Sequence, residues 1–562
     1  MKNLLNVVVV SSFVVAVTAW GNIPEKEPIF KQVRSKRSGI SLFGGAVDAR
    51  QDWFNYDSDL DGLEGVSADL AYARFALDPK VADVVVAVID SGVDVHHEDL
   101  QGKIWNNPGE TGLDSNGQDK ATNGVDDDAN GYVDDVYGWN FIGGLDAEGN
   151  PTHIGAETLE MTRIFKHLST LKDSGVELSP EEEALLAEVK EAITSERKVS
   201  SDRIIQVNQV LAQLGEAFTA IAKKVDFSFE ELNLEKAQAL DEGDSDVAAA
   251  KKTIIAIFNG IQRESVDILN QIIAYHENVL EVYLNTDFDP RSEIVGDDPS
   301  DFNDTDYGNN DVIGPDADHG THVAGIIAAD RNNLLGVRGI AEKVKIMALR
   351  VVPDGDERDK DVALSIRYAV NNGAKVINMS FGKAFSPDQA KVAEAIKYAS
   401  DNGVLLVHAA GNDAKDNDLA PSFPNRVLNN GELAATWLDI GASASMRGPE
   451  MVADFSNYGD DTVDIFAPGY EIESTIPGNQ YAVFSGTSMA SPTVAGVATM
   501  ILGYAPNLSG VELKDLLLST GKQYAGLDVK LPGSDDLVPF STLSMTGMVA
   551  NVNSAIESLM GR

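Results

Sequence analysis

Ser485-Gly486-Thr487-Ser488-Met489-Ala490-Ser491-Pro492 runs directly into Thr493-Val494-Ala495-Gly496-Val497-Ala498-Thr499-Met500-Ile501-Leu502. Glycine and small hydroxyl residues followed by an apolar run are the pattern of a tight loop opening a buried helix. Pro492 is expected in the first turn, where a missing N–H costs nothing. Ser488 then sits at the helix N-terminus with its hydroxyl bared, among free N–H groups that favour negative charge. A hydroxyl is a weak nucleophile. It needs a base, and the base needs a partner to orient it.

Two earlier stretches offer both. Val84 to Ile89 is an uninterrupted apolar run, as expected of a strand buried on both faces of a parallel sheet. Asp90 ends it, at the strand end where open α/β sheets carry their sites. His319-Gly320-Thr321-His322-Val323-Ala324-Gly325 opens a helix whose small residues permit close packing on the sheet. His319 and His322 share a helical face, but the glutamate of the zinc motif H-E-x-x-H is missing. Alone, Asp90 reads as a turn cap and Gly486-Thr487-Ser488 says little.

Together, in the order Asp, His, Ser, the three stretches resemble the signatures of the subtilisin-like serine proteases, the subtilases. The resemblance covers residues 50–145 and 295–560. It implies an α/β, subtilisin-like three-layer fold with a central parallel sheet, and a catalytic triad of Asp90, His319 and Ser488. It also implies that Asn412, in Ala409-Ala410-Gly411-Asn412, donates its side-chain amide to the oxyanion. Ser380, Phe381 and Gly382 would pair with substrate backbone and form one wall of the specificity pocket. Ala409, Ala410 and Gly411 would floor that pocket opposite them.

The chain has 562 residues, a net charge of −44 and no cysteine. Thiol catalysis, zinc–thiolate sites and disulfides are therefore excluded. The charge argues against nucleic acid or an acidic membrane as partner and for divalent cations. Asn123 to Asp135 follows the first nine positions of an EF-hand loop, with Asp126, Asp128, Asn130, the Tyr132 carbonyl and Asp134 as ligands, although Tyr137 stands where the closing glutamate belongs. The other reading is a solvated Asx-rich turn. Asp99 matches a subtilase calcium ligand, which implies a second site with Asn333 in the loop Asn332 to Val337. Asp57 to Gly62 is read as an acidic turn. Structural calcium is thus the expected ion, and the resemblance implies no organic cofactor.

Residues 1–19 read as a signal peptide, because Lys2 precedes the apolar stretch Leu4 to Val17 and small residues lead to Ala19. Residues 20–50 are a polar leader or short pro-segment, 51–154 the first part of a catalytic domain and 286–562 its second. Between them, residues 155–285 nearly lack glycine and proline and carry helical stripes: Ile204, Val207, Leu211, Leu214, Phe218 and Ile221, then Ile254, Ile257, Ile261, Ile268, Ile272 and Leu280. Ser179-Pro180-Glu181-Glu182 is a helix start, and one long helix is expected from Val247 to Leu284. This predicts an antiparallel α-helical insertion between the catalytic Asp and His, which stand 229 positions apart. It is expected to cover the cleft or contact a partner. No apolar run reaches the roughly 18 residues of a membrane span. The expected activity is that of a secreted or periplasmic serine endopeptidase acting on proteins or peptides. The competing readings are an exopeptidase of the same family with a restricted cleft, and a non-catalytic, calcium-dependent surface protein.

Overall fold

Val84–Asp90 (β1) alternates between two cores. Val86 and Val88 face one and Ala87 and Ile89 the other, all four fully buried. That burial explains the unbroken apolar run: each face is covered, so no position along the strand favours a polar side chain. The computed structural model describes residues 32–34, 52–78 and 80–561. The expected signal peptide and most of the leader lie outside the described residues.

The sheet around β1 continues with Gly138–Asn140 (β2), Val344–Arg350 (β3), Val376–Met379 (β4), Leu405–Ala409 (β5), Trp437–Ser443 (β6), Ile465–Pro468 (β7), Lys522–Gln523 (β8) and Met548–Val549 (β9). Its order is β8-β9-β7-β6-β5-β4-β1-β3-β2. Every neighbouring pair is parallel except β8 with β9. Helices Asp318–Ala328 and Thr487–Tyr504 bury apolar residues in the core on one side. Asp359–Asn371 and Gln389–Asp401 do so on the other. This is a three-layer α/β arrangement, and the order reverses around β1, where open sheets place their sites.

The Ser488 helix corrects one expectation. It begins at Thr487, so Pro492 lies inside the helix rather than in its first turn. The proline therefore withholds the N–H that would have reached the carbonyl four residues back, that of Ser488. The turn at Asp57 forms as read: Asp57 Oδ1 accepts from the N–H groups of Asp59 and Leu60 at 3.0 and 3.1 Å.

The described residues divide into two compact units, one of them Met161–Phe288 and the other made of the described residues before and after it. The first is helical. Pro180–Thr219 starts where expected at Ser179, and the start is a capping box: Glu182 N–H donates to Ser179 Oγ at 3.2 Å, and Ser179 N–H to Glu182 Oε2 at 2.7 Å. Val207, Leu214, Ile254, Phe258 and Leu269 fill its core. The single helix expected over Val247 to Leu284 is instead broken into Ser245–Ile261 and Val266–Asn278, followed by a π-helical turn at Val279–Tyr283. Gln262 takes a left-handed conformation that ends the first piece, and Ser265 Oγ caps the next by accepting from Ile268 N–H at 3.1 Å. The apolar stripe continues across the break, which is why periodicity alone did not show it.

Candidate active site

Asp90 is 1% exposed at the end of β1. Its Oδ1 accepts from Ser91 N–H at 2.7 Å and lies 2.7 Å from His319 Nδ1. His319 reaches it because Gly320 is glycine. A Cβ there would come 2.1 Å from Gly92 O and 3.1 Å from Asp90 Cβ, so any side chain would push the helix off the strand end. The imidazole itself is 36% exposed.

Ser488 occupies the first turn of its helix. Its hydroxyl donates to Ser380 O at 3.2 Å, and its own carbonyl accepts from Ser380 Oγ at 3.0 Å, the place left vacant by Pro492. Asn378 Nδ2 donates to Ser380 Oγ at 2.9 Å, and Ser491 Oγ donates to Asn378 Oδ1 at 2.8 Å. A buried polar lattice thus ties the exit of β4 to the helix that carries Ser488.

Asn412 follows β5. Its Oδ1 accepts from Thr487 N–H at 2.8 Å and from Thr487 Oγ at 3.0 Å. A backbone N–H can only donate, so the amide orientation is fixed and Nδ2 is the end presented elsewhere. The position of a Cβ on Gly486 would be 3.6 Å from both Asn412 Nδ2 and Ser488 N, so two donors flank one small space.

Ser380, Phe381 and Gly382 leave β4, beside Ala409, Ala410 and Gly411 leaving β5. Behind this edge stands His408, to which the sequence reading gave no role. Its Nε2 lies 2.9 Å from Phe381 O and its Nδ1 2.7 Å from Asp439 Oδ1. Arg426 reaches Asp439 at 3.0 Å and also pairs with Asp464. Burial by itself would raise the Asp439 pKa, but His408 and Arg426 together bring it below the ordinary carboxylate value. An imidazole in an otherwise apolar strand run was the available signal.

The expected metal residues separate into different environments. Asp99 and Asn333 come together, with Asn333 Nδ2 donating to Asp99 Oδ1 at 2.7 Å, and burial pushes the Asp99 pKa up. Asp126 accepts from the N–H groups of Asn130 and Gly131 at 3.1 and 2.8 Å, and Asp134 from Gly124 N–H at 3.1 Å. Asn130 Oδ1 accepts from Tyr132 N–H at 2.8 Å. Asp128 Oδ1 shares the Asn130 N–H with Asp126, at 3.1 Å, and Asp128 also joins Glu110 and Asp135, with one carboxylate oxygen of each within 4.8 Å of the others. Glu110 and Asp135 were not among the expected ligands.

The model of the subtilase family matches residues 82–535. The chain belongs to the subtilase family. It is similar to a thermophilic serine proteinase of Bacillus sp. (strain AK1), 37% identical over 227 residues, 40% of this chain and 51% of the relative. It is also similar to alkaline elastase YaB of Bacillus sp. (strain YaB), 39% identical over 203 residues, 36% of this chain and 49% of the relative. To subtilisin BL of Lederbergia lenta it is 38% identical over 203 residues, 36% of this chain and 69% of the relative. This subtilase therefore spans about half the length of the first two relatives it matches. No helix among its described residues is long and apolar enough to cross a membrane.

Proposed function

We propose that this subtilase is an exported serine endopeptidase whose triad is Asp90, His319 and Ser488. The pairing of His319 Nδ1 with Asp90 Oδ1 at 2.7 Å carries the reading. With Nδ1–H donating a hydrogen bond to the Asp90 carboxylate, Nε2 is the basic nitrogen of the imidazole. Ser488 Oγ attacks the scissile carbonyl carbon as its proton passes to Nε2, and the carbonyl π pair moves onto oxygen. Asn412 Nδ2 and Ser488 N–H hold that oxyanion, each donor contributing roughly 3 kcal/mol in the transition state. Asp90 keeps the imidazolium oriented and compensates its charge. Collapse restores the carbonyl and breaks the C–N bond, and Nε2 returns the proton to the leaving amine. Water then repeats the sequence on the acyl-enzyme, releasing the acid and restoring Ser488.

Ser380 to Gly382 is the edge on which substrate backbone pairs, and Ala409 to Gly411 floors the adjoining pocket. Calcium binding is common among subtilases, and here it is proposed as a structural ion of the acidic loop at 123–135, with no part in the chemical steps. The helical insertion enters the chain between two triad members, which supports control of access to the cleft as its role. Deleting residues 160–283 without any change in folding, self-processing or activity on large substrates would remove that role. The apolar stretch Leu4 to Val17 supports export.

The experiment is hydrolysis of casein and of a peptide length series by the wild type and by Ser488→Ala. Loss of activity in Ser488→Ala with internal cleavage by the wild type supports the reading. Products trimmed only from chain ends favour the exopeptidase alternative. An inert wild type, with or without the insertion, favours the non-catalytic one.

A further inference from the structure

Glu110 is fully buried, and half of its carboxylate has no partner. Oε1 accepts from Asp127 N–H at 2.7 Å, while Oε2 is buried without a donor. Around it stand Asp135, also fully buried, and Asp128 on the exposed side of the cluster. Asn107 Nδ2 donates to Asp128 Oδ2 at 3.0 Å and to Asp135 Oδ1 at 2.6 Å, and Asn130 Nδ2 to Asp135 Oδ2 at 2.9 Å. Tyr368 OH donates to the same Asp135 oxygen at 2.5 Å. These are all neutral donors. Among the described residues, no Lys, Arg or His side chain is paired with any of the three carboxylates; the nearby Lys120 pairs with Asp127 instead, at 3.9 Å.

Three carboxylates this close, two of them removed from water, need a counter-charge, because buried charge is tolerated only when paired or bound to a metal. The backbone is shaped to bring them together. At Gly109 a Cβ would lie 2.3 Å from Asp128 Oδ2, so only glycine lets the turn before Glu110 close over Asp128. We infer that Glu110, Asp128 and Asp135 hold a calcium ion that fastens the acidic loop to the edge of the sheet and to helix Asp359–Asn371.

An all-oxygen donor set without imidazole suits a hard cation, and a mixed loop-and-turn cage suits calcium better than the stricter octahedron of magnesium. This assignment narrows the calcium of the proposed function to named ligands, of which the EF-hand pattern supplied only Asp128. The peptidase reading does not enter into it.

The test uses full-length Ser488→Ala protein, which cannot digest itself if that reading is right, stripped with chelator and titrated with calcium chloride by calorimetry and by thermal unfolding. Glu110→Gln in that background should remove one binding event from the isotherm, or weaken it at least tenfold, and shrink the calcium-induced rise in Tm. Asp128→Asn changes an exposed carboxylate, so it keeps the assay decisive if the buried substitution fails to fold, and it should weaken the same event. Asp99→Asn should leave that event in place. Magnesium should compete poorly. Unchanged stoichiometry and affinity in Glu110→Gln and Asp128→Asn would overturn the assignment. So would a Glu110→Gln protein that is more stable at neutral pH while calcium has no effect, since the cluster would then be sharing protons.

Discussion

Ser380 and Ser488 bind each other reciprocally, each hydroxyl donating to the other's carbonyl, at 3.0 and 3.2 Å. The exchange exists because Pro492 leaves the Ser488 carbonyl without its helical donor. Ser380 Oγ therefore replaces a helix hydrogen bond at the residue proposed as nucleophile.

Ser380→Ala tests the value of that brace. The change orphans a carbonyl in a closely packed region, which costs about 1–3 kcal/mol. Thermal unfolding in the Ser488→Ala background should show the loss. In the otherwise wild-type chain, kcat should fall about tenfold, equivalent to about 1.4 kcal/mol of barrier. KM should change little, because the Ser380 carbonyl remains available to substrate. A rise in KM at constant kcat would mean that the hydroxyl serves binding and not the nucleophile.

Asn412→Asp separates the two ends of one side chain. A carboxylate can still accept from Thr487 N–H, now at 2.8 Å, but it cannot donate to an oxyanion and adds repulsion. Folding should survive while kcat falls at least 10²–10³-fold, the range for losing one such donor. If Asn412→Asp retains wild-type kcat, the amide does not meet the oxyanion.

Periodicity and motif order made much of this legible. The apolar run of β1, the helix start at Ser179 and the small-residue helix at His319 each follow from local chemistry, and they form as read. What stayed hidden depended on distant partners. The helix break at Gln262 does not interrupt the apolar stripe, so the sequence carried no sign of it. Pro492 fitted a first turn on local rules, and only tertiary contact with Ser380 makes its interior position tolerable. Glu110 precedes the acidic loop, and nothing in its immediate neighbours marks it as part of the Asp128 cluster. His408 was visible as an imidazole in an apolar strand, but its two partners, Phe381 and Asp439, lie on neighbouring strands or their exits.

His408→Leu tests the support behind the edge proposed to bind substrate. It strips Phe381 O of its contact at 2.9 Å and Asp439 of one partner, leaving Arg426 and Trp437 on that carboxylate. A lost buried charged contact of this kind costs about 2–3 kcal/mol. KM for extended peptides should rise more than for a single-residue ester, because on the proposed reading only the former pair along Ser380 to Gly382. Equal changes for both substrates would restrict His408 to a structural role.

Asp311 gives the fold a measurable acid limit. His153 Nε2 lies 3.3 Å from Asp311 Oδ2, while Nδ1 faces Asn140 Nδ2 at 3.1 Å, an arrangement that puts the ring proton on Nε2, toward the carboxylate. The His153 hydrogen bond outweighs burial and, with the N–H groups of Ile313 and Gly314, lowers the Asp311 pKa from 3.8 to about 2. A depressed carboxylate contributes stability that is fully present above its unfolded pKa and is lost as pH falls through the folded one. The difference in unfolding midpoint between Ser488→Ala and Ser488→Ala with Asp311→Asn should therefore carry the full carboxylate contribution at about pH 5. It should shrink as pH drops below 3.8 and approach its minimum near pH 2, since protonated aspartic acid and asparagine are then both neutral. Other carboxylates titrate over the same range, but they are common to both proteins and cancel in the difference. A deficit that grows on acidification would show that Asp311 is not held ionised by His153.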